Sequence, residues 1–256
     1  MKMTLSQYIR NPMGSAVFTA AMRETMHEMY TKKYGALMVR EHGKIDYQFF
    51  KDIKNNLYYA VFKIPSETIE KFYYDVVLEF STNEDVKQAA TNLFEYDVRF
   101  FSNDPAFMYT YAYTFYHNDL FIDRFKSKMS KKALKKAPEE RNPTNQIGYV
   151  KTIYFAYLTM LNKGLNNVAT IEGSCKKFNL SYILNDITDA DTKIGAREAE
   201  GAKLQKKKQR EKQQEERKKN SEFNTKTTSS IKTTKIIGSS SSGIKKVKSV
   251  KTAKKK

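Results

Sequence analysis

Phe94-Glu95-Tyr96-Asp97-Val98-Arg99-Phe100 carries a large apolar side chain at every even position and a charged one at every odd position. That alternation is the period of a β-strand with one face packed and one face charged. Working outward, Tyr74-Asp75-Val76-Val77-Leu78-Glu79-Phe80 and the run Leu57 to Ile64 repeat the pattern. Downstream, Phe107, Tyr109, Tyr111, Tyr113 and Phe115 would share one side of a fourth strand, with Met108, Thr110, Ala112 and Thr114 opposite. Ser102-Asn103-Asp104-Pro105-Ala106 lies between the last two runs, and its residues favour turns, so a hairpin is expected there. A reversal at Pro65 to Lys71 would complete an antiparallel sheet of about four strands with one buried and one solvated face.

The buried face needs a cover, and the flanking sequence offers helical patterns. The clearest is Ile147 to Lys163, where Ile147, Val150, Ile153, Tyr154, Tyr157, Leu158 and Leu161 recur at spacings of three and four before Gly164. Others span Asp119 to Met129, Ser130 to Ala137 and Ser174 to Leu184, with Ser174 as cap. Upstream, a Met-rich helix is expected from Ser15 to Tyr34, capped by Ser15 and stopped by Gly35. Strands grouped ahead of most of the helices define an α+β fold rather than a parallel α/β one.

The end of the chain has a different composition. The sequence holds 17 Tyr and 16 Phe, yet from Gly195 onward Phe223 is the only aromatic residue. That same segment carries 20 Lys and Arg against 6 Glu, a net of +14 out of +18 for the whole chain, which leaves +4 for residues 1–194. Three regions follow: an α+β domain over 1–194, a charged segment of good helix formers over 195–220, and a disordered Lys/Ser/Thr-rich tail over 221–256. Leu204 is the one large apolar residue in 195–220, too little for a packed or coiled-coil face.

Such a segment attracts phosphate polyanions through charge density, with little sequence discrimination. The candidate nucleic-acid-binding residues are Lys203, Lys206, Lys207, Lys208, Arg210, Lys218, Lys219, Lys245, Lys246, Lys248, Lys251, Lys254, Lys255 and Lys256. DNA is the favoured partner. A membrane is not expected, because no stretch approaches the ~20 apolar residues of a bilayer span and the tail lacks apolar anchors beside its lysines. The apolar run Met13 to Met22 imitates a signal-peptide core, but it continues in helical period through Met26 and Met29.

Catalytic patterns are weak. His27, His42 and His117 are scattered, Cys175 is the single cysteine, and neither zinc-type spacing nor a phosphate-binding glycine loop occurs. Cys175 is expected to be a buried structural residue in a reducing compartment. Asp75, Glu79, Glu95 and Asp97 could project from neighbouring strands beside Arg99 and hold Mg²⁺ for a metal-dependent nuclease; the simpler reading is that they solvate the outer face of the sheet. The aromatic run Phe107 to Phe115 invites comparison with base-stacking sheets, but no Lys or Arg lies between Ser102 and Ile122, so it is assigned to the core. No cofactor, metal or enzymatic activity is expected.

Tyr74 to Phe80, Tyr96 to Asn103, Phe107 to Phe115 and Arg141-Asn142-Pro143 give the first three quarters of the chain a family likeness. It resembles structural proteins of tailed bacteriophages with AT-rich genomes. The resemblance implies a non-enzymatic virion or assembly role, in the host cytoplasm or in the particle, with other protein subunits on the α+β domain and packaged DNA against the tail. The alternative is a free nucleic-acid-binding accessory protein whose folded domain also touches DNA or RNA.

Overall fold

A computed structural model describes residues 2–10, 20–34, 44–67, 69–82 and 91–230. The chain divides into two units, Met1–Lys203 and Leu204–Lys256. The first is α+β, built on a five-stranded mixed sheet of order β4-β3-β2-β1-β5. Its strands are β1 (Asp46–Asp52), β2 (Leu57–Pro65), β3 (Tyr73–Ser81), β4 (Asp97–Ser102) and the two-residue β5 (Lys176–Lys177). Strands β1 to β4 are antiparallel neighbours, and only β5 runs parallel, beside Phe50 and Lys51 of β1.

The register assigns each strand residue to a face. Phe49, Ala60, Leu78 and Phe100 align across one face, and Phe50, Tyr59, Glu79 and Arg99 across the other. Neither face of the central strands is solvated. Six of the seven interior residues of β2, and all seven of β3, are buried, because the sheet is covered on both sides. On the first face lie α1 (Leu5–Arg10) and α5 (Lys151–Asn162). Tyr8 of α1 packs on Phe100 with ring centroids 4.7 Å apart, and Thr152 of α5 meets Ser102. Helix α2 (Ala20–Tyr34) reaches this layer through Tyr30 and Tyr34, both against Phe155. Met26 and Met29 pack partly on the core and Met22 is exposed, so the methionine stripe is only half absorbed. Ser15 and Gly35, the expected ends of this helix, lie outside the described residues.

The expected strand from Phe107 to Phe115 is a helix instead. One widened turn, Phe107–Tyr111, leads into α3 (Ala112–His117). Its start is set by Asp104, whose carboxylate accepts the Ala106 N–H at 2.8 Å, and by Pro105 in the first turn, where a missing N–H costs nothing. Aspartate followed by proline is therefore a helix start here and not a hairpin turn. Facing changes accordingly. Thr110 and Thr114, assigned to the wet side of a strand, are buried, and Tyr109, assigned to the core, is 50% exposed.

Other boundaries move for local reasons. Leu93–Glu95 is a 3₁₀ turn capped by the Asn92 side chain, so β4 begins at Asp97. Asp123–Lys128 is a 3₁₀ helix where an α-helix from Asp119 was expected, followed by α4 (Lys131–Lys135). After α6 (Val168–Glu172), the expected Ser174 helix is replaced by β5, and α7 (Leu180–Asp186) starts under an Asn179 cap that accepts the Tyr182 N–H at 3.0 Å. The outer edge of β4 is bridged at both ends: Val98 N–H donates to Met3 and Phe100 N–H to Leu120. Helix α8 (Ala190–Ser230) begins ahead of Gly195 and continues past Ser221, so residues 221–230 are helical where disorder was expected. Ala190 and Ile194 are buried in the first unit.

Candidate nucleic-acid interface

Nine residues of the last helix from Lys203 to Lys219 are Lys or Arg, and every residue from Ala202 to Lys219 is exposed. Leu204, 44% exposed, offers no apolar stripe. The six predicted contacts Lys206, Lys207, Lys208, Arg210, Lys218 and Lys219 therefore have their charges in solvent, as does Lys203 at the end of the first unit. Part of the charge is balanced along the helix. Lys203 pairs with Glu200 (2.6 Å), Lys207 with Glu211 (4.0 Å) and Lys219 with Glu215 (2.7 Å). The hydrogen bond from Lys219 holds the Glu215 carboxyl below its ordinary range. Exposed pairs of this spacing add little to stability, so they leave the cations available to a stronger anion. Lys245, Lys246, Lys248, Lys251, Lys254, Lys255 and Lys256 lie outside the described residues.

The four carboxylates proposed to share a metal do not form one group. Asp75 is buried and accepts Lys63 Nζ (3.1 Å), Asn103 Nδ2 (2.6 Å) and the Thr188 N–H (3.2 Å). Glu79 is buried as well; Tyr59 Oη donates to it at 2.6 Å and Arg99 lies 3.6 Å away. Glu95 accepts the Ser6 hydroxyl, and Asp97 faces Lys2. Among the described residues, no three His, Cys, Asp or Glu side chains are grouped to hold a metal ion. Glu95 and Arg99 meet solvent as expected, whereas the charged face of the sheet at Asp75 and Glu79 is a covered polar seam. It continues at Asp52, where burial pushes the carboxyl up but hydrogen bonds from Asn55 and Arg124 outweigh it and hold it low. Arg124 in turn lies over the Phe178 ring, which stacks on Tyr59 at 4.4 Å. Alternation identifies residues that share a face; it does not say what covers that face.

His27 and His117 sit on different elements, and His42 lies outside the described residues. Cys175 is half-buried, and burial pushes its thiol up, away from a reactive thiolate.

Sequence reasoning did not single out the basic run in the folded unit. From Asp123 to Lys136 there are seven Lys and Arg against Asp123 alone. Arg124, Lys126, Lys128 and Lys136 each pair with a carboxylate, whereas Lys131, Lys132 and Lys135 are exposed and have no ion pair among the described residues. Lys131 and Lys132 border an open cleft of about 980 Å³ whose other wall carries Tyr109 and Tyr113. The cluster was legible as charge density. Its aromatic neighbours were not, because they had been placed inside a strand.

The chain matches no protein-family model, no curated protein and no solved structure. Among the described residues, no helix is long and apolar enough to cross a membrane.

Proposed function

We propose that this protein is a non-enzymatic structural or assembly protein, of the virion type that its phage-like segments suggest, whose basic C-terminal segment binds nucleic acid without sequence preference. The observation that carries the reading is the +14 net charge of residues 195–256, with no apolar stripe to bury it. A helix polar on all sides gains little from packing, so its exposed lysines can exchange small counterions for phosphates. The α+β unit would supply contacts to other protein subunits, and DNA is the polyanion a particle would present.

The test keeps the full chain and replaces the fourteen candidate cations by Gln. Wild-type protein should bind duplex DNA with a steep salt dependence, losing roughly 10³ to 10⁵ in affinity from 50 to 200 mM salt if 6 to 10 phosphates are engaged. The neutralised chain should lose most of that affinity and nearly all of the salt slope. Equal duplex binding by both chains at one salt concentration would refute the proposal.

A second reading, a nucleic-acid accessory protein whose folded unit also makes contact, is favoured by one observation: the Tyr- and Lys-lined cleft described above.

A further inference from the structure

Helix formation over 105–117 sorts its aromatic residues into two sets. Phe107 and Phe115 enter the core, packed edge to face at 5.3 Å. Tyr109, Tyr113 and His117 follow one another at four-residue intervals on the outside. Tyr109 is half exposed and His117 exposed, and the rings of Tyr113 and His117 lie 4.2 Å apart at 44°. Tyr109 and Tyr113 face the cleft, whose remaining lining includes Met108 and Met129 from the core and Lys131, Lys132, Lys136 and Arg141. Its volume, about 980 Å³, is at the upper end of the range for built ligand sites, roughly 300–1,000 Å³.

The charges are mixed. Glu139, Glu140 and Asp191 also line the cleft, and Glu139 holds Lys136 at 2.8 Å. Burial, and after it the charges of Glu198 and Asp191, push the Tyr109 hydroxyl up, and carboxylates near that ring disfavour a phosphate there and leave Lys131 and Lys132 as its partners in the lining. Four cations against three carboxylates attract a polyanion weakly, so affinity here must come from the rings. Exposed aromatic faces are open to unpaired bases and closed to a duplex, whose bases are already stacked.

We infer that this cleft binds single-stranded nucleic acid, stacking a base on Tyr109 or Tyr113 and setting the adjoining phosphates against Lys131 and Lys132. The inference rests on the reading of the protein as a nucleic-acid binder but concerns a different surface from the basic stretch of the C-terminal helix, which meets the cleft only through Asp191 in its first turn.

The experiment uses the full chain with the fourteen C-terminal cations replaced by Gln, and measures anisotropy of a labelled oligothymidylate and of a duplex of equal length. The neutralised chain should retain single-strand binding in excess of duplex binding. Tyr109→Ala should weaken it about 5- to 150-fold, the range for one stacked base, while Tyr109→Phe, which keeps the ring, should preserve it. Lys131→Gln with Lys132→Gln should flatten the salt dependence of log K by about 1.4. Those two lysines are exposed, so this variant reports on the site even if Tyr109→Ala perturbs the fold. No preference for the single strand, equal loss in the Ala and Phe variants, or binding of a poly-glutamate peptide as tight as the oligonucleotide would each overturn the inference. Loss of duplex binding on neutralisation reports on the C-terminal segment alone, so the two proposals fail separately.

Discussion

Gly148→Ala isolates one close approach in the first unit. A Cβ at Gly148 would lie 2.2 Å from Tyr111 Cε1, 2.6 Å from Cζ and 2.8 Å from the hydroxyl oxygen. Those separations are far inside van der Waals contact, so either the backbone or the ring must move. The backbone is held: Tyr8 Oη donates to the Gly148 carbonyl at 3.0 Å, and the Val150 N–H donates to the same hydroxyl at 3.3 Å. Tyr111 has room, because its ring borders a cavity of about 240 Å³ shared with Met22 and Met26. Overpacking typically costs about 1–3 kcal/mol, and an off-rotamer ring about 0.5–1.5, which puts the clash near 1–2 kcal/mol. Against it stands the smaller entropy of an unfolded chain with Ala in place of Gly, worth about 0.4–1 kcal/mol. Gly148→Ala should therefore destabilise by up to about 1.5 kcal/mol, a fall in melting temperature of about 2–4 °C per kcal/mol. Removing the ring reverses the sign: in a Tyr111→Ala background the same substitution should stabilise by about 0.4–1 kcal/mol. A double-mutant cycle by thermal or urea unfolding measures the difference. Identical effects of Gly148→Ala in the two backgrounds would refute the argument.

Three further outcomes follow from the fold. Asp104→Ala removes the acceptor for the Ala106 N–H and should cost about 0.5–2 kcal/mol by urea unfolding, whereas Asp104→Asn keeps the acceptor and should cost less. Burial pushes the Asp104 carboxyl above its ordinary value, despite hydrogen bonds from the Ala106 N–H and Thr152, so its contribution is fullest below pH 3.8 and is lost as pH rises through the raised folded value. The stability difference between Asp104→Asn and wild type should accordingly grow in favour of Asn over that window. Thr110→Asp, at a buried position, should lower the melting temperature far more than Tyr109→Asp at its half-exposed neighbour; equal shifts would refute the helical facing, and a larger loss for Tyr109→Asp would return this segment to a strand. Tyr59→Phe strips a donor from buried Glu79 and should destabilise by about 1.5–3 kcal/mol, read by urea unfolding, with no loss if the carboxylate is solvated instead.

Strands β2 and β3 and helix α5 were legible from the spacing of their large apolar residues, although β2 and β3 are buried on both faces and Leu161 of the expected helical stripe is exposed. β1 was not: Phe49 and Phe50 are adjacent, both buried, and point to opposite faces, so the segment shows no alternation. β5 is two lysines, and only a neighbour's backbone makes them a strand. The run Phe107 to Phe115 satisfies both periods, since Phe107, Thr110, Thr114 and Phe115 are also spaced for one helix face. There the deciding signal was Asp104-Pro105 at its start, which a turn and a helix cap share. Charge placed the cations of the C-terminal segment directly, because density needs no fold. The cleft needed Tyr109 and Lys131 to be brought together by elements that no local pattern relates.

The bridged edge of β4 bears on how copies of this chain can meet. Its outward N–H groups at Val98 and Phe100 already donate to the Met3 and Leu120 carbonyls, and Ile122 N–H returns to the Phe100 carbonyl. An incoming strand finds these positions occupied, so growth of the sheet from one molecule to the next through backbone pairing is blocked on that side. A sheet this rich in Phe and Tyr would otherwise be a template for cross-β stacking at high local concentration. Contacts across this border would instead be made side chain to side chain, and so could be weakened one residue at a time without unravelling the strand beneath.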